Sequence, residues 1–487
     1  MQSSMRVYKD DDTPLYVQAA DALRRRIIDG EFRRGDRLPS IRRLSDELGV
    51  NPATVVAAYR ILTRESLVEA RAGSGAYVPI DASIPEAPHE AKSRIGPDSL
   101  PSIHDPNVHG EQGNQVDMTA NAPPLDLFPL EDVKAFIVQA IDADGGKVFE
   151  YQDASGYAPL KRALALRLSS RRDPAKAVDP DDVHIVSGAQ QGLDLAARVL
   201  LRRGDVAAME SPGYRGARDV FIAAGARVES VPLNAEGMDL AVLEHLAATR
   251  PLRLVYVNPS FQNPTGIVYS RRAQTKLVTL AERYGFYIVE DDLFADLVPE
   301  PGASPSFRAL DEAGRVLFVK SFSKTMMPGL RIACMETPAA LRERIEGAKR
   351  SVDLSSNGLM QRVLERFLSS GRYDAHIARA RERYLQAADI FFGALSPGIK
   401  VGLSWEQPRG GINAWIRVPP DTSGRIFAQA CLDRGCAVAP EAAFRFESSP
   451  GDGLDRHVRA SFGSVPLSDV AQGGRAIAEA AIFLSTR

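Results

Sequence analysis

Cysteine is scarce in this chain of 487 residues: only Cys334, Cys431 and Cys436 occur, and their number and spacing make no disulfide framework, zinc cluster or CxxC redox pair. Long apolar runs are missing too. The opening Met-Gln-Ser-Ser-Met-Arg-Val-Tyr-Lys and three Asp hold no signal-peptide core, and no stretch of about twenty apolar residues follows. A soluble protein of the reducing cytoplasm, with no membrane partner, is expected. There is little charge of one sign, since 60 basic against 62 acidic residues leave −2, which excludes a histone-like polycation but not a local basic surface. Neither GxGxxG nor GxxxxGK[ST] occurs, which removes the usual sequence arguments for a dinucleotide or a nucleoside triphosphate.

The length exceeds what one core usually organises, so two or more folding units are expected. Residues 13 to 80 stand apart, with eleven Arg and no Lys against eight acidic residues. Leu15, Ala19, Ala22, Leu23 and Ile27 recur at helical spacing up to Asp29-Gly30. Ser40 is a cap for a second helix that carries Ile41, Leu44 and Leu48 inward and stops at Gly49. Asn51-Pro52, a cap followed by proline at the first helical position, opens a third through Val55, Tyr59 and Leu62. Residues 67–71 and 76–78, joined by a glycine-containing turn, read as a hairpin. Three helices and a wing are predicted over residues 1–80.

Between residues 81 and 115 the periodicity vanishes and five prolines are scattered among polar residues, which reads as a flexible linker. It holds His89, His104 and His109 without a metal-like rhythm, and no metal site is expected.

From residue 116 to 487, short apolar runs alternate with helical stretches, the pattern of an α/β domain with a mainly parallel sheet. Strands are predicted at 183–186, 206–209, 228–231, 254–257, 286–289 and 316–319, and a small α+β subdomain over about 375–487. Several strands run into unusual polar sequence: Ser187 to Gly192, Ser211 to Tyr214, Asn258 to Gly266, Glu290 to Asp292, and Ser321 to Lys324. Ligands of open α/β sheets bind at the carboxyl ends of strands, so these clusters point to one shared site.

Ser187 to Leu193 follows a strand and opens a helix, so its amides can hold a phosphate, although taken alone the segment fits an ordinary tight turn better. Lys324, just past a buried strand, can lose its proton by desolvation and attack an aldehyde. Nearby hydroxyls and the forked donors of Arg331 suit a dianionic phosphate. Asp291 can pair with a protonated pyridine nitrogen and keep the ring an electron sink, Asn263 can donate to a ring oxygen, and Tyr214 can cover a ring face. Each alone also suits a solvated loop; their arrival at successive strand ends gives them weight.

Asn-Pro-Ser-Phe-Gln-Asn-Pro-Thr-Gly, Glu-Asp-Asp and Ser-Phe-Ser-Lys with the downstream Pro-Gly-Leu-Arg resemble fold-type I aminotransferases of the aspartate aminotransferase superfamily, over about residues 117 to 487. The resemblance implies pyridoxal 5'-phosphate, with Lys324 as catalytic residue forming the internal aldimine, Asp291 on the pyridine nitrogen and Asn263 on the ring hydroxyl. It places Ala189, Gln190, Ser321, Ser323 and Arg331 around the phosphate, stacks Tyr214 on the ring, and gives Arg459 the effector's α-carboxylate. Tyr151 matches a tyrosine that reaches the partner subunit's phosphate, which implies a homodimer. One position departs from the pattern. Leu293-Phe294 stands where relatives commonly have a tyrosine donating to the ring oxygen, so a less stabilised phenolate and slow transamination are expected, unless Tyr256 or Tyr287 supplies the hydroxyl.

Residues 14 to 78, with Pro-Leu-Tyr, Gly-Asp-Arg-Leu-Pro-Ser-Ile-Arg-Arg-Leu, Asn-Pro-Ala-Thr-Val and Tyr-Arg-Ile-Leu, resemble the GntR winged helix-turn-helix. Joined by a linker to an aminotransferase-like domain, it has the layout of the MocR subfamily. Asn51, Ala53 and Thr54 would face base edges of double-stranded operator DNA. Arg37, Ser40, Arg42 and Arg43 would lie at the backbone, which Gly73 and Gly75 let the wing approach. The expected function is transcription regulation by an amino compound sensed through aldimine exchange at Lys324, with at most weak transaminase activity. Two rivals stay open: a working aminotransferase that carries a DNA-binding domain, and a binding protein that has lost the cofactor.

Overall fold

Capping chemistry sets the boundaries of the N-terminal helices. The computed structural model describes residues 14–28, 31–32, 35–65, 67–71, 75–79, 115–170, 172, 176–298, 306–446 and 455–486. The chain divides into two units, residues 1–104 and 105–487. In the first, α1 spans Leu15–Ile28. Ser40 accepts a hydrogen bond from the Arg43 amide at 3.3 Å to open α2, Ile41–Leu48, and Gly49 closes it at φ +64°. Asn51 accepts from the Ala53 amide at 2.9 Å to open α3, Pro52–Arg64. The wing is an antiparallel pair, β1 (Glu69–Arg71) and β2 (Gly75–Tyr77), shorter at its start than predicted. Leu23, Ile27, Leu44, Val55, Leu62 and Val78 fill the core between them. Of the predicted linker, 81–115, residues 81–114 with His89, His104 and His109 lie outside the described residues, as does Gly73.

The second unit opens with β3 (Val116–Asp117), α4 (Leu130–Asp144), α5 (Ala158–Ser169), β4 (Val183–Val186) and α6 (Ala189–Leu200). It continues through β5 (Val206–Ser211), α7 (Arg215–Ala223), β6 (Arg227–Asn234), β7 (Gly237–Met238) and α8 (Leu240–Thr249). Then come β8 (Leu252–Val257), α9 (Arg271–Tyr284), β9 (Tyr287–Asp292), α10 (Phe307–Leu310), β10 (Val316–Ser321) and β11 (Ala333–Glu336). These strands form one sheet in the order β4-β11-β10-β9-β8-β5-β6-β7. Neighbours from β10 to β6 run parallel, whereas β11 is antiparallel to both β10 and β4, and β7 to β6.

Helices cover both faces, which is why the central strands read as unbroken apolar runs rather than alternations. Tyr256, Val289 and Val319 pack into one core layer, while Val255, Ile288 and Val316 pack into the layer opposite. The strands run further than their apolar runs: Ser211, Glu290, Asp291, Asp292 and Ser321 are ladder residues, not loop residues. A polar tip can be buried in the ladder only where it finds partners, so the position of these residues already marks the site.

The chain then forms α11 (Arg342–Asp353), α12 (Gly358–Ser369), α13 (Arg372–Leu395), β12 (Ser404–Trp405), β13 (Ala414–Arg417) and α14 (Gly424–Leu432). It ends with β14 (Cys436–Ala437), β15 (Ala439–Pro440), β16 (His457–Ala460) and α15 (Leu467–Ser485). A small antiparallel sheet has the order β12-β13-β16-β15. The small subdomain is not contiguous in sequence, because β3 pairs in parallel with β14 and sends Val116 and Met118 into the core of Phe391, Phe462 and Ile477.

Candidate functional site

At the end of β4 the chain turns through Ser187-Gly188 into α6, whose first-turn amides, including those of Ala189 and Gln190, have no acceptor one turn back. Gly188 sits at φ +94°, and a Cβ there would lie 2.4 Å from an Arg331 guanidinium nitrogen. Arg331 itself adopts φ +50° and donates from Nη2 to the Ser187 carbonyl at 2.9 Å. Asp353 braces the turn, accepting from Gln191 at 2.8 Å and from the Ser187 hydroxyl at 3.2 Å. Tyr214, at the start of α7, donates to Gln190 Oε1 at 3.0 Å. A cationic cup of backbone amides therefore opens beside an aromatic ring.

Across from the cup, the Asp291 carboxyl is buried at the tip of β9. Tyr256 donates to its Oδ2 at 2.8 Å, while Oδ1 has no partner among the described residues. Burial pushes this carboxyl up to about 7, against the pull of the Tyr256 hydrogen bond and of Lys324. Asn258 ties Asp291 to the next loop, donating to the Asp291 carbonyl at 2.7 Å and accepting from the Asn263 amide at 2.8 Å. Asn263 Oδ1 in turn accepts from Arg459 Nη1 at 2.8 Å. Arg459, on β16, also donates to the Thr119 carbonyl and lies 4.8 Å above the Phe444 ring, and burial lowers its affinity for its proton to a pKa of about 10.

Below these groups Glu210, wholly buried, accepts from Tyr269 at 2.7 Å, the Asn258 amide at 3.0 Å and Gln262 at 3.1 Å. Burial still pushes it up to about 7. Lys324 follows β10 half-buried, two residues after the buried Phe322, and the Ser323 amide donates to Ser321 Oγ at 3.2 Å. An orphaned buried carboxylate oxygen, a glycine cradle under an arginine and an amine at a neighbouring strand end match the ring nitrogen, phosphate and aldehyde of pyridoxal phosphate. The donor set fits that group.

Ten predicted residues thus gather at the strand ends: Ala189, Gln190, Tyr214, Asn263, Asp291, Ser321, Ser323, Lys324, Arg331 and Arg459. Tyr151 is not among them; it stands 83% exposed, with no hydrogen bond to the others among the described residues. Phe294 is fully buried in the core with Phe322 and Met326. Of the two proposed substitutes for its missing hydroxyl, Tyr256 is engaged with Asp291, and Tyr287 lies under Arg315, 5.1 Å from the guanidinium. Glu210, Asn258, Thr119 and Asp353 were not identified from sequence; of these only Asn258 lay in a predicted strand-end cluster.

The winged unit sorts its arginines. Arg24 pairs with Glu65 and Asp21, and Arg26 with Glu31 at 2.6 Å, while Arg37, Arg42 and Arg43 are exposed without an ion pair among the described residues. Gly75, at φ +115°, lets Arg37 lie against the wing, since a Cβ would stand 3.1 Å from Arg37 Nε. Ser40 and Asn51 give their side-chain oxygens to caps, Ala53 is exposed and Thr54 half-buried at the start of α3. Three uncommitted cations beside an open helix start make a surface suited to a nucleic-acid backbone. Among the described residues no helix is long and apolar enough to cross a membrane, and no cluster of His, Cys, Asp and Glu is arranged to hold a metal.

Residues 113–472 match the family described as aminotransferase class I and II, and residues 15–78 match bacterial regulatory proteins, gntR family. The HTH-type transcriptional regulator TauR of Rhodobacter capsulatus is 32% identical over 474 residues, 93% of this chain and 94% of its own length. The probable rhizopine catabolism regulatory protein MocR of Rhizobium meliloti is 27% identical over 453 residues, 91% of this chain and 90% of its own. Among solved structures, LysN, the α-aminoadipate aminotransferase of Thermus thermophilus complexed with N-(5'-phosphopyridoxyl)-L-leucine, matches with a TM-score of 0.69 at 30% identity, over 76% of this chain and 93% of that one. With both matched stretches in one polypeptide and relatives aligned along nearly its whole length, the chain belongs to the MocR subfamily of gntR regulators, a DNA-binding winged helix-turn-helix fused to a fold-type I aminotransferase domain.

Proposed function

We propose that the protein regulates transcription by holding pyridoxal phosphate in the strand-end site and sensing an amino compound there. The observation that carries the reading is Asp291: a buried carboxylate with one oxygen bound by Tyr256 and the other unpartnered suits a ring N–H. Pyridoxal phosphate supplies an aldehyde carbon and an electron-withdrawing ring. The α6 amides and Arg331 would bind its phosphate, Tyr214 would cover its ring, and Asn263 would orient its ring oxygen. Ser321 and Ser323 would add hydroxyl donors to the phosphate. Lys324 would hold the aldehyde carbon through its side-chain amine, and an effector amine would compete with it for that carbon. Arg459 would grip a carboxylate on the effector through a bidentate pair.

For exchange to act on DNA, the effector must bind two states of the protein with different affinity. The arrangement calls for a homodimer, in which Tyr151, exposed on this chain, would reach the partner's phosphate and the winged domains would act as a pair. Arg37, Arg42 and Arg43 would meet phosphates, and Ala53 and Thr54 base edges.

The test is to titrate amino acids and polyamines into the purified holoprotein while following cofactor absorbance and binding to its own upstream DNA. The reading expects one amine to shift both signals together, and Lys324→Ala to abolish both shifts and the adduct trapped by borohydride. Repeated turnover of an amino donor and a keto acid without change in DNA binding would favour an aminotransferase instead.

A further inference from the structure

The whole sequence contains two tryptophans, and both line one cleft of about 930 Å³ in the aminotransferase unit. One wall is the turn between β6 and β7, with Ser211-Pro212 and Thr265; the other is the small sheet. Its volume falls within the range of about 300–1,000 Å³ typical of small-molecule sites. None of the ten residues gathered at the strand ends lines it, although Trp415 pairs with Arg459 in the ladder, so the cleft neighbours the cofactor site with a lining of its own.

Strand register explains how the small sheet furnishes it. Arg417 pairs with His457 and Trp415 with Arg459 across β13 and β16, which puts all four side chains on one face. Trp415 and His457 stack, their rings 10° from parallel at 5.1 Å, and Trp405 stacks on Phe392 at 5.6 Å. The aromatic rings are therefore held as a fixed platform.

The charges around that platform do not cancel. Glu441 accepts from Arg445 at 2.6 Å, His457 at 2.9 Å and the Arg456 amide at 2.9 Å, so its charge is committed. The side chains of Arg417 and Arg456 make no ion pair or hydrogen bond among the described residues, and Glu406 is the one other acid in the lining. Two uncommitted guanidinium groups beside indole rings combine charge with planar stacking.

We propose that this cleft is a second small-molecule site, beyond the cofactor site, and that it takes a planar aromatic anion. The rings stack on the body of the ligand, and Arg417 and Arg456 bind its acidic group through forked donors. This inference stands apart from the proposed sensing of an amine, since it needs no reaction at Lys324.

Calorimetric titration of the full-length holoprotein with naphthalene-2-sulfonate tests it, with (2-naphthyl)trimethylammonium as the same ring of opposite charge. The expected result is saturable binding of one sulfonate per chain, no comparable binding of the cation, and unchanged cofactor absorbance. Arg417→Ala combined with Arg456→Ala should weaken binding at least tenfold, Trp415→Phe should weaken it several-fold, and Arg459→Lys should leave it within about twofold. An unchanged far-ultraviolet spectrum and melting transition in each variant check that it has folded. Absence of saturable binding, equal binding of the cation, full affinity in the double variant, or loss in Arg459→Lys would each overturn the proposal, the last by placing the anion in the cofactor site.

Discussion

Tyr256 gives its phenolic hydrogen to Oδ2 of Asp291 across 2.8 Å, and the other oxygen of that carboxylate is left without a donor among the described residues. Burial drives the carboxyl towards protonation, and the tyrosine opposes it. In Tyr256→Phe that opposition disappears, so Asp291 should hold its proton to still higher pH. A hydrogen bond to a charged group contributes about 1.5–3 kcal/mol, so cofactor affinity should fall on the order of tenfold or more. Absorbance titration of cofactor-free protein with pyridoxal phosphate measures it; equal dissociation constants for parent and variant would remove Tyr256 from the site.

Gly188 makes a second, steric prediction. An alanine there must hold φ +94° and force aside the Arg331 guanidinium that the Ser187 carbonyl fixes. With ψ at 162° this is an extended, essentially glycine-only conformation whose strain is about 1–3 kcal/mol, and the displaced arginine adds the loss of a phosphate contact. Gly188→Ala should keep its far-ultraviolet spectrum while binding pyridoxal phosphate at least tenfold more weakly. Tight cofactor binding in that variant would mean the cup is not where the phosphate sits.

What the sequence made legible was local. Ser187 to Gly192 and Ser321 to Lys324 carry their meaning within a few residues, and the helix caps at Ser40 and Asn51 are readable from spacing alone. The partners of those groups were not legible, because they come from afar: Thr119 meets Arg459 across 340 positions. Glu210 was hidden at the end of an apolar strand, where nothing nearby announces that Tyr269 and Gln262 converge on it. β11 escaped prediction for another reason. Its four residues follow an irregular Pro-Gly-Leu-Arg and enter the sheet antiparallel, without the helix that precedes the parallel strands.

Phe294 leads to a third prediction. Its ring is fully buried, so a tyrosine hydroxyl at 294 needs a partner, and the cofactor's ring oxygen is the expected one. Phe294→Tyr should therefore lower the pH at which the bound cofactor changes colour and widen the gap in melting temperature between protein with and without cofactor. An identical titration midpoint in parent and variant would show that the hydroxyl does not reach the ring.

Three buried acids give the cofactor-free protein a pH dependence with a definite sign. Burial pushes Glu290 up to about 8 and Glu210 up to about 7, from an ordinary 4.5 in the unfolded chain, and Asp291 up to about 7 from an ordinary 3.8. The folded state thus holds protons that the unfolded state has already released. Their stabilising contribution is full below the unfolded value and is lost as pH rises through 7 and 8, at up to about 1.4 kcal/mol per pH unit for each group. Glu290→Gln, which cannot ionise, should flatten the fall in melting temperature between pH 6 and 8. A fall as steep as the parent's would assign the effect elsewhere.

The arginines of the winged unit separate into two experimental classes. Arg24 is bound to Glu65 and Asp21, so Arg24→Ala should lower the melting temperature of the N-terminal unit, with a DNA effect no larger than that loss explains. Arg43 is exposed and uncommitted, so Arg43→Ala should cost little stability, weaken binding to every DNA sequence alike and reduce the salt slope by about one. Thr54, half-buried at the start of α3, should behave differently from both: Thr54→Ala should change the preference among operator sequences and leave the salt slope unchanged. Binding measured at several salt concentrations on matched and scrambled DNA resolves the three. If Arg43→Ala and Thr54→Ala lose the same affinity on every sequence, α3 does not read bases, and the wing with its unpaired arginines holds DNA by charge alone.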